Sequence, residues 1–422
     1  MRSRRTTTMA WLGTASHARW LEDEARALLD FARAAAVPQG FGYLDAEGRL
    51  DPSRPVELWI TCRMTHCFSL GALLGIPGAG SLADHGVRAL ATHLRDTEHG
   101  GWFSAVGPDG PVNDAKEAYA HAFVVLATSS ATAADRPGAR ELLDEALQVS
   151  EQRFWREDEG AALEAWDRAF TEAEAYRGVN ANMHTVESYL AAADVTGEDV
   201  WLDRALTITR RVLDGYAREY DWRIPEHFSA TWEPLLDYND DDRAHQFRPF
   251  GATVGHWLEW ARLALHLREG LVARGRSTEG WLLEAARELF ARAVADGWAV
   301  DGEDGFVYTV DFAGEPVVHE RMHWVVCEAV AAAAALESAT GEEQYAEWYQ
   351  RAWDYAATHL IERPGAWRHE LDATNTPSAR TWPGKPDTYH ALQATLVPRL
   401  PLAPALAPAL ARGLLDVRHP MP

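Results

Sequence analysis

Apolar residues recur at helical spacing along nearly the whole chain, while strand-like alternation is scarce. The connections between the periodic stretches alternate between short and long. Twelve candidate helices follow, the first over about Ser16–Ala36 and the last over about Asp387–Arg399. Long connections follow the third, fifth, seventh, ninth and eleventh, and each opens on an aromatic element: Gly101-Trp102-Phe103, Arg153-Phe154-Trp155, Trp222-Arg223-Ile224, Gly297-Trp298-Ala299 and Gly365-Ala366-Trp367. A repeat of this kind is the mark of a recurring helical hairpin. Six hairpins with all long loops at one end predict an all-α fold, an (α/α)6 barrel with short β-hairpin pieces in those loops. An open solenoid would also stack helix pairs. The polar residues set into apolar runs of alternate helices favour a closed ring around one pocket.

No Pro/Gly/Ser-rich linker divides the chain, so residues 11–422 are expected to form one catalytic domain behind a disordered tail, residues 1–10. Arg2, Arg4 and Arg5 precede no apolar stretch of the kind an export signal requires. The Pro-rich segment Pro398–Pro408 reads as a docking strap. A formal charge of −23 argues against nucleic-acid or anionic-membrane partners, and no apolar run is long enough to span a bilayer. Cys62, Cys67 and Cys327 are too few for a disulfide framework and fit a reducing cytoplasm. A monomer or homodimer is expected.

The richest segment is Phe247–Arg262, F-R-P-F-G-A-T-V-G-H-W-L-E-W-A-R, a loop entering a helix at Gly251 and Gly255. His256 and Glu259 are three residues apart and share a face. An imidazole beside a carboxylate in buried surroundings is what proton transfer near neutral pH requires, although the same spacing also suits a core histidine capped by a glutamate. In Gly384-Lys385-Pro386-Asp387-Thr388-Tyr389-His390, the Pro-Asp pair reads as a helix start and puts His390 in its first turn. Asn180, Asn182 and His184 open the sixth helix, where the asparagines could cap it or bind a polyol. Trp59 and Arg63 are i,i+4 neighbours on the second helix, and an arginine among apolar residues needs a partner or ligand. Lys116 and Tyr119 fall on the fourth helix. All these clusters lie on even-numbered helices.

His319-Glu320-Arg321-Met322-His323 matches H-E-x-x-H, in which two histidines on one helix grip zinc. Arg321 would put a cation beside the dication, and no third ligand follows at short spacing. No metal is therefore expected, and His323 with Trp324 reads as pocket wall. Neither a phosphate-binding loop nor a dinucleotide fingerprint is present, so no cofactor is expected. The many Trp and Tyr residues beside Asn, His, Glu and Arg suit a sugar site.

G-H-W-L-E-W on the eighth helix, Y-H-A-L-Q on the last, Asn-Met-His on the sixth, Trp-x-x-x-Arg on the second and Tyr-x-His-Ala-Phe on the fourth together resemble the N-acylglucosamine 2-epimerase superfamily over about Trp11–Leu400. R-M-H-W and G-K-P-D-x-Y-H-A are most similar to its aldose–ketose isomerase branch, whose members act on mannose or sulfoquinovose. The resemblance implies an (α/α)6 barrel and a metal-independent isomerase that interconverts mannose and fructose, or lyxose and xylulose, through a cis-enediol(ate). It implies that His256 moves the proton between C1 and C2, that His390 opens the ring or, as in the epimerases, does acid–base work on the opposite face, and that Glu259 orients and tunes His256. Arg63, Tyr119, Asn180 and His184 match sugar-contacting positions, with Trp59, Arg248, His323, Trp324 and Lys385 as further pocket positions. A sugar 2-epimerase, a sulfoquinovose isomerase and a glycoside hydrolase on the same barrel are the alternatives.

Overall fold

A computed structural model describes residues 11–278 and 280–417; the tail expected over residues 1–10 lies outside them. The helices are α1 (Ala15–Ala32), α2 (Leu58–Leu73), α3 (Ala79–Ala91), α4 (Ala118–Ala133), α5 (Ala139–Val149), α6 (Val179–Thr196), α7 (Asp199–Thr209), α8 (Val254–Ala273), α9 (Trp281–Gly297), α10 (His323–Thr340), α11 (Glu343–Tyr355), α12 (Tyr389–Leu396) and α13 (Leu406–Ala411). Helices α2, α4, α6, α8, α10 and α12 pack in sequence, and α12 returns to α2, which closes an inner ring. The odd helices α1 to α11 each pack outside against an even one. The twelve-helix barrel expected from the repeat is therefore present.

Burial separates the two rings as the sequence pattern requires. Nearly every residue of α2, α4, α6, α8 and α10 is buried, so these helices are apolar all round, whereas α1, α5 and α11 bury only one stripe. The Pro-rich C-terminal segment crosses the barrel without regular structure over residues 400–405 and ends docked on it. Its Leu406–Ala411 stretch is α13, which packs on α2, α4 and α6. A sixth long connection, Arg33–Glu57, follows α1 and completes the repeat.

The long loops are stitched to one another around the barrel mouth. Val56–Glu57 pairs with Ala105–Gly107, Lys116–Glu117 with Ala165–Trp166, Tyr176–Gly178 with His227–Ser229, Ala252–Thr253 with Thr309–Val310, and Arg321–Met322 with Glu370–Leu371. Each pair joins one long loop to the next. The backbone N–H that opens each of five inner helices then donates to the neighbouring loop: Leu58 to Ser104 (2.9 Å), Ala118 to Glu164 (2.8 Å), Val179 to Glu226 (3.1 Å), Val254 to Tyr308 (3.1 Å) and His323 to His369 (3.0 Å). These bonds satisfy donors that a helix start leaves free. The last loop meets the first where the Lys385 amide donates to the Leu44 carbonyl at 2.8 Å.

One glycine sets the spacing of α8 and α10. A Cβ on Gly255 would lie 2.4 Å from the Trp324 ring and 2.7 Å from Val325. Gly255→Ala is expected to cost about 1–3 kcal/mol by overpacking, read as a lower Tm, and to lower turnover by displacing Trp324.

Candidate active site

At the long-loop end the inner helices line a cavity with about 540 Å³ of empty space, part of it open to solvent. Its floor and walls come from the first two turns of the inner helices: Arg63, Tyr119, Asn180, His184, His256, Glu259, His323, Trp324 and His390. The loops add Gln246, Phe247, Pro249, Tyr308, His369, Trp382 and Asp387. Nine of the sequence candidates thus converge on one cavity.

The two expected histidines are built alike. Nδ1 of His256 lies 3.0 Å from both carboxylate oxygens of Glu226, and His390 Nδ1 makes a short hydrogen bond to Asp387. A carboxylate on Nδ1 fixes the ring and leaves Nε2 for chemistry. Trp324 lies against both imidazoles, with ring centroids 5.3 Å from His256 and 5.6 Å from His390. Glu226 also receives the Thr253 amide at 3.4 Å, and its own carbonyl receives the first N–H of α6. It is thereby held from three sides.

The expected Glu259–His256 couple does not form. Glu259 lies one turn deeper and accepts from Arg262 at 3.2 Å, with His184 Nδ1 at 3.8 Å. Arg262 also donates to Glu328 at 2.8 Å, and Glu187 lies 3.7 Å away. His184 meets Glu187 at 3.3 Å. Burial by itself would raise Glu187, but its bond to His184 and the charge of Arg262 hold it well below the usual carboxylate range. Burial and the Glu328 carboxylate push Glu259 the other way, well above its ordinary value. Donor atoms of His184, Glu187 and Glu259, and of Glu259, Glu328 and His390, approach within 4.8 Å of one another. Arg262 already supplies the countercharge there.

Arg63 donates to Tyr119 at 2.9 Å and pairs with Asp387 at 3.3 Å, with its guanidinium over the Phe123 and Tyr389 rings. Burial alone would raise the Asp387 carboxyl, but His390 and Arg63 hold it well below the usual range. Buried charges survive only when paired in this way.

Three expected pocket residues stand outside the cavity. Arg248 is bound to Glu174 through two bonds, 2.7 and 2.9 Å, and lies over Tyr176. Lys385 bonds Glu362. Trp59 donates to Glu57 and packs edge-on behind Phe247 and Trp382, which do line the cavity. Asn182 is not a helix cap: it accepts the Ala162 amide at 2.8 Å and donates to Gly178 at 2.9 Å. Lys116 precedes α4 and is buried against Asp96 at 3.0 Å.

The H-E-x-x-H run is not one helical face. Residues His319 and Glu320 lie in a loop, Arg321–Met322 is a strand, and α10 begins only at His323. His319 meets Asp301 at 3.0 Å, whereas His323 stacks on His369 with centroids 3.9 Å apart.

Glu226, Gln246, Tyr308, His369 and Trp382 were missed because they come from loops. Asp387 was seen only as a helix start. The sole local hint for Glu226 is its place just after Ile224-Pro225, in a loop that opens on Trp222. Trp382 is placed by Glu370, whose carboxylate takes the Thr381 and Trp382 amides at 2.8 and 2.7 Å.

The model of the N-acylglucosamine 2-epimerase family matches residues 40–394, and the chain belongs to that family. It is 56% identical over 405 residues to a D-mannose isomerase of Thermobifida fusca, covering 95% of this chain and 98% of that one. A D-mannose isomerase of Pseudomonas cannabina pv. alisalensis is 51% identical, covering 96% and 98% respectively. A solved D-mannose isomerase structure superposes with a TM-score of 0.83 at 27% identity, over 91% of this chain and 97% of that one.

Burial lowers His184 to about 3 and His323 to about 4. Both stay neutral in the folded protein, while in the unfolded chain they take up protons below about pH 6.5. The unfolded state then binds more protons, so stability falls as pH drops from about 6.5 towards 4. Tm is expected to decline over that window. His323→Asn is expected to make the decline shallower by the share of one proton, about 1.4 kcal/mol per pH unit at most.

Proposed function

We propose that this protein is an aldose–ketose isomerase that interconverts D-mannose and D-fructose, and also D-lyxose and D-xylulose, without a metal ion. The observation that carries this reading is the pair of imidazoles, each with Nδ1 on a buried carboxylate, lining one cavity at the barrel mouth. The high identity to two D-mannose isomerases along nearly their full length supports it.

In this reading His390 exchanges the proton that opens the sugar ring. His256 then takes the hydrogen from C2 as a proton and returns it to C1 on the same face of a cis-enediolate. Negative charge that builds on the oxygen atoms meets Arg63, which is fixed by Tyr119, Asp387 and two aromatic faces. Tyr119, Asn180 and His184 bind the hydroxyls, and Trp324 supports both imidazoles. Preformed donors of this kind need no metal to polarise the carbonyl.

Neutral sugars fit this site better than sulfonated ones. Of the two arginines that could meet a sulfonate, Arg248 is taken up by Glu174 outside the cavity, and Arg63 is paired with Asp387. Sulfoquinovose is expected to turn over far more slowly than mannose.

The test is incubation of EDTA-treated protein with mannose, fructose, lyxose, glucose and sulfoquinovose, with product identification. Fructose is expected from mannose at an unchanged rate after EDTA. Glucose as the main product would make the protein a 2-epimerase, and inactivity on every free sugar would refute the reading. His256→Ala is expected to lower kcat by about 100- to 10,000-fold. Glu226→Gln, which leaves no anion on Nδ1, is expected to cost at least about 100-fold.

A further inference from the structure

Isomerisation through an enediol needs two proton exchanges. The C2–H bond breaks and a C1–H bond forms; separately, O2 loses its proton and O1 gains one. His256 accounts for the carbon-bound hydrogen, which leaves the exchange between the oxygens without an assigned carrier. We propose that Glu259 is that carrier, a neutral carboxylic acid that gives its proton to O1 while its other oxygen takes the proton of O2. The proposal rests on the isomerase reading. The exchange is balanced: the carboxyl group ends as neutral as it began, and no outside acid, base or oxidant enters.

Three geometric facts support it. Glu259 lines the cavity on the same helix as His256, one turn below it, with an oxygen within 4.8 Å of a His390 ring nitrogen. It therefore faces the cavity near His390, and O1 and O2 of the opened sugar are set against it in this proposal. Secondly, three buried carboxylates, Glu187, Glu259 and Glu328, surround the single guanidinium of Arg262. Arg63, paired with Asp387, offsets only part of that negative charge.

Thirdly, the hydrogen bonds single out which of the three holds the proton. Glu328 takes two bonds from Arg262 at 2.8 and 3.2 Å. Glu187 takes bonds from Tyr389, from Gln393 at 3.2 Å and from His184 at 3.3 Å. Glu259 receives one bond, from Arg262 at 3.2 Å, on one oxygen. Among the described residues its second oxygen accepts none. It accepts the fewest hydrogen bonds of the three, and burial beside Glu328 acts in the same direction.

A carboxyl that is neutral at rest suits the task, because one oxygen can donate while the other accepts. An ionised carboxylate could only accept. A full negative charge at this place would also repel the enediolate.

Glu259→Gln tests the idea, since the amide copies the neutral acid in shape but cannot pass the proton on. Three results are expected together. The infrared C=O band of a protonated carboxyl in the wild-type protein at pH 7 disappears in the variant. Tm is unchanged, because a neutral group replaces a neutral group, whereas Glu328→Gln lowers it. In D2O, kcat for mannose falls about 100-fold, while deuterium still enters C2 of recovered mannose, so exchange outruns ketose formation.

Loss of turnover with no change in the ratio of exchange to ketose formation would overturn the proposal and make Glu259 a structural or binding residue. Turnover within about threefold of wild type, or absence of the infrared band, would also overturn it. Failure of the wild-type protein to form ketose would instead sink the isomerase reading, so the two failures are distinguishable.

Discussion

The active-site end of this barrel depends on one repeated contact, in which the first backbone N–H of an inner helix donates to a carbonyl of the next long loop. A helix start leaves such donors free, and here five of them are used to pull neighbouring loops over the ring. In three of the five, the residue that supplies the carbonyl also brings its side chain to the site. In this way Glu226 reaches His256, while Tyr308 and His369 reach the cavity wall. The backbone pairing that closes the fold is also what delivers half of the site.

Charge is the second constraint. Arg63, Asp387 and Glu259 line the cavity, and Arg262, Glu187 and Glu328 are buried beside them. Such a set is tolerable only if every ion has a partner. Asp387 answers Arg63 and His390; Glu187 and Glu328 answer Arg262. The cluster is acidic beyond its one guanidinium, and Glu259 is raised accordingly. The same matching removes Arg248 from the pocket, because Glu174 offers it two bonds at the rim.

The helical half of the site was legible in the sequence. On an inner helix that starts at the loop end, the first two turns must face the mouth, so Arg63, Tyr119, Asn180, His184, His256, His323, Trp324 and His390 could be placed by counting from a helix start. The ring itself followed from the alternation of short and long connections and from polar residues set into the apolar runs of alternate helices. What escaped was depth and long-range pairing. Residues three apart share a face, but Glu259 lies a turn below His256 and is drawn to Arg262 instead. The true partner, Glu226, is thirty residues earlier in sequence and reaches His256 only through the register of a two-loop β-pairing. No local pattern encodes that register. The H-E-x-x-H run has the spacing of a helical metal site, but the stitching strand Arg321–Met322 occupies its middle.

The central claim is that an imidazole, His256, carries hydrogen between two adjacent carbons inside this cavity. The most direct measurement follows the label of [2-2H]mannose through a short incubation in H2O, by NMR of the ketose and mass analysis of the solvent. The expected result is deuterium at C1 of fructose together with partial loss to water, because a ring nitrogen holds the label long enough to return some and release the rest. Complete retention at C1 would indicate direct hydride transfer, and absence of labelled ketose would mean that no C1–C2 transfer occurs. Either result would contradict the account.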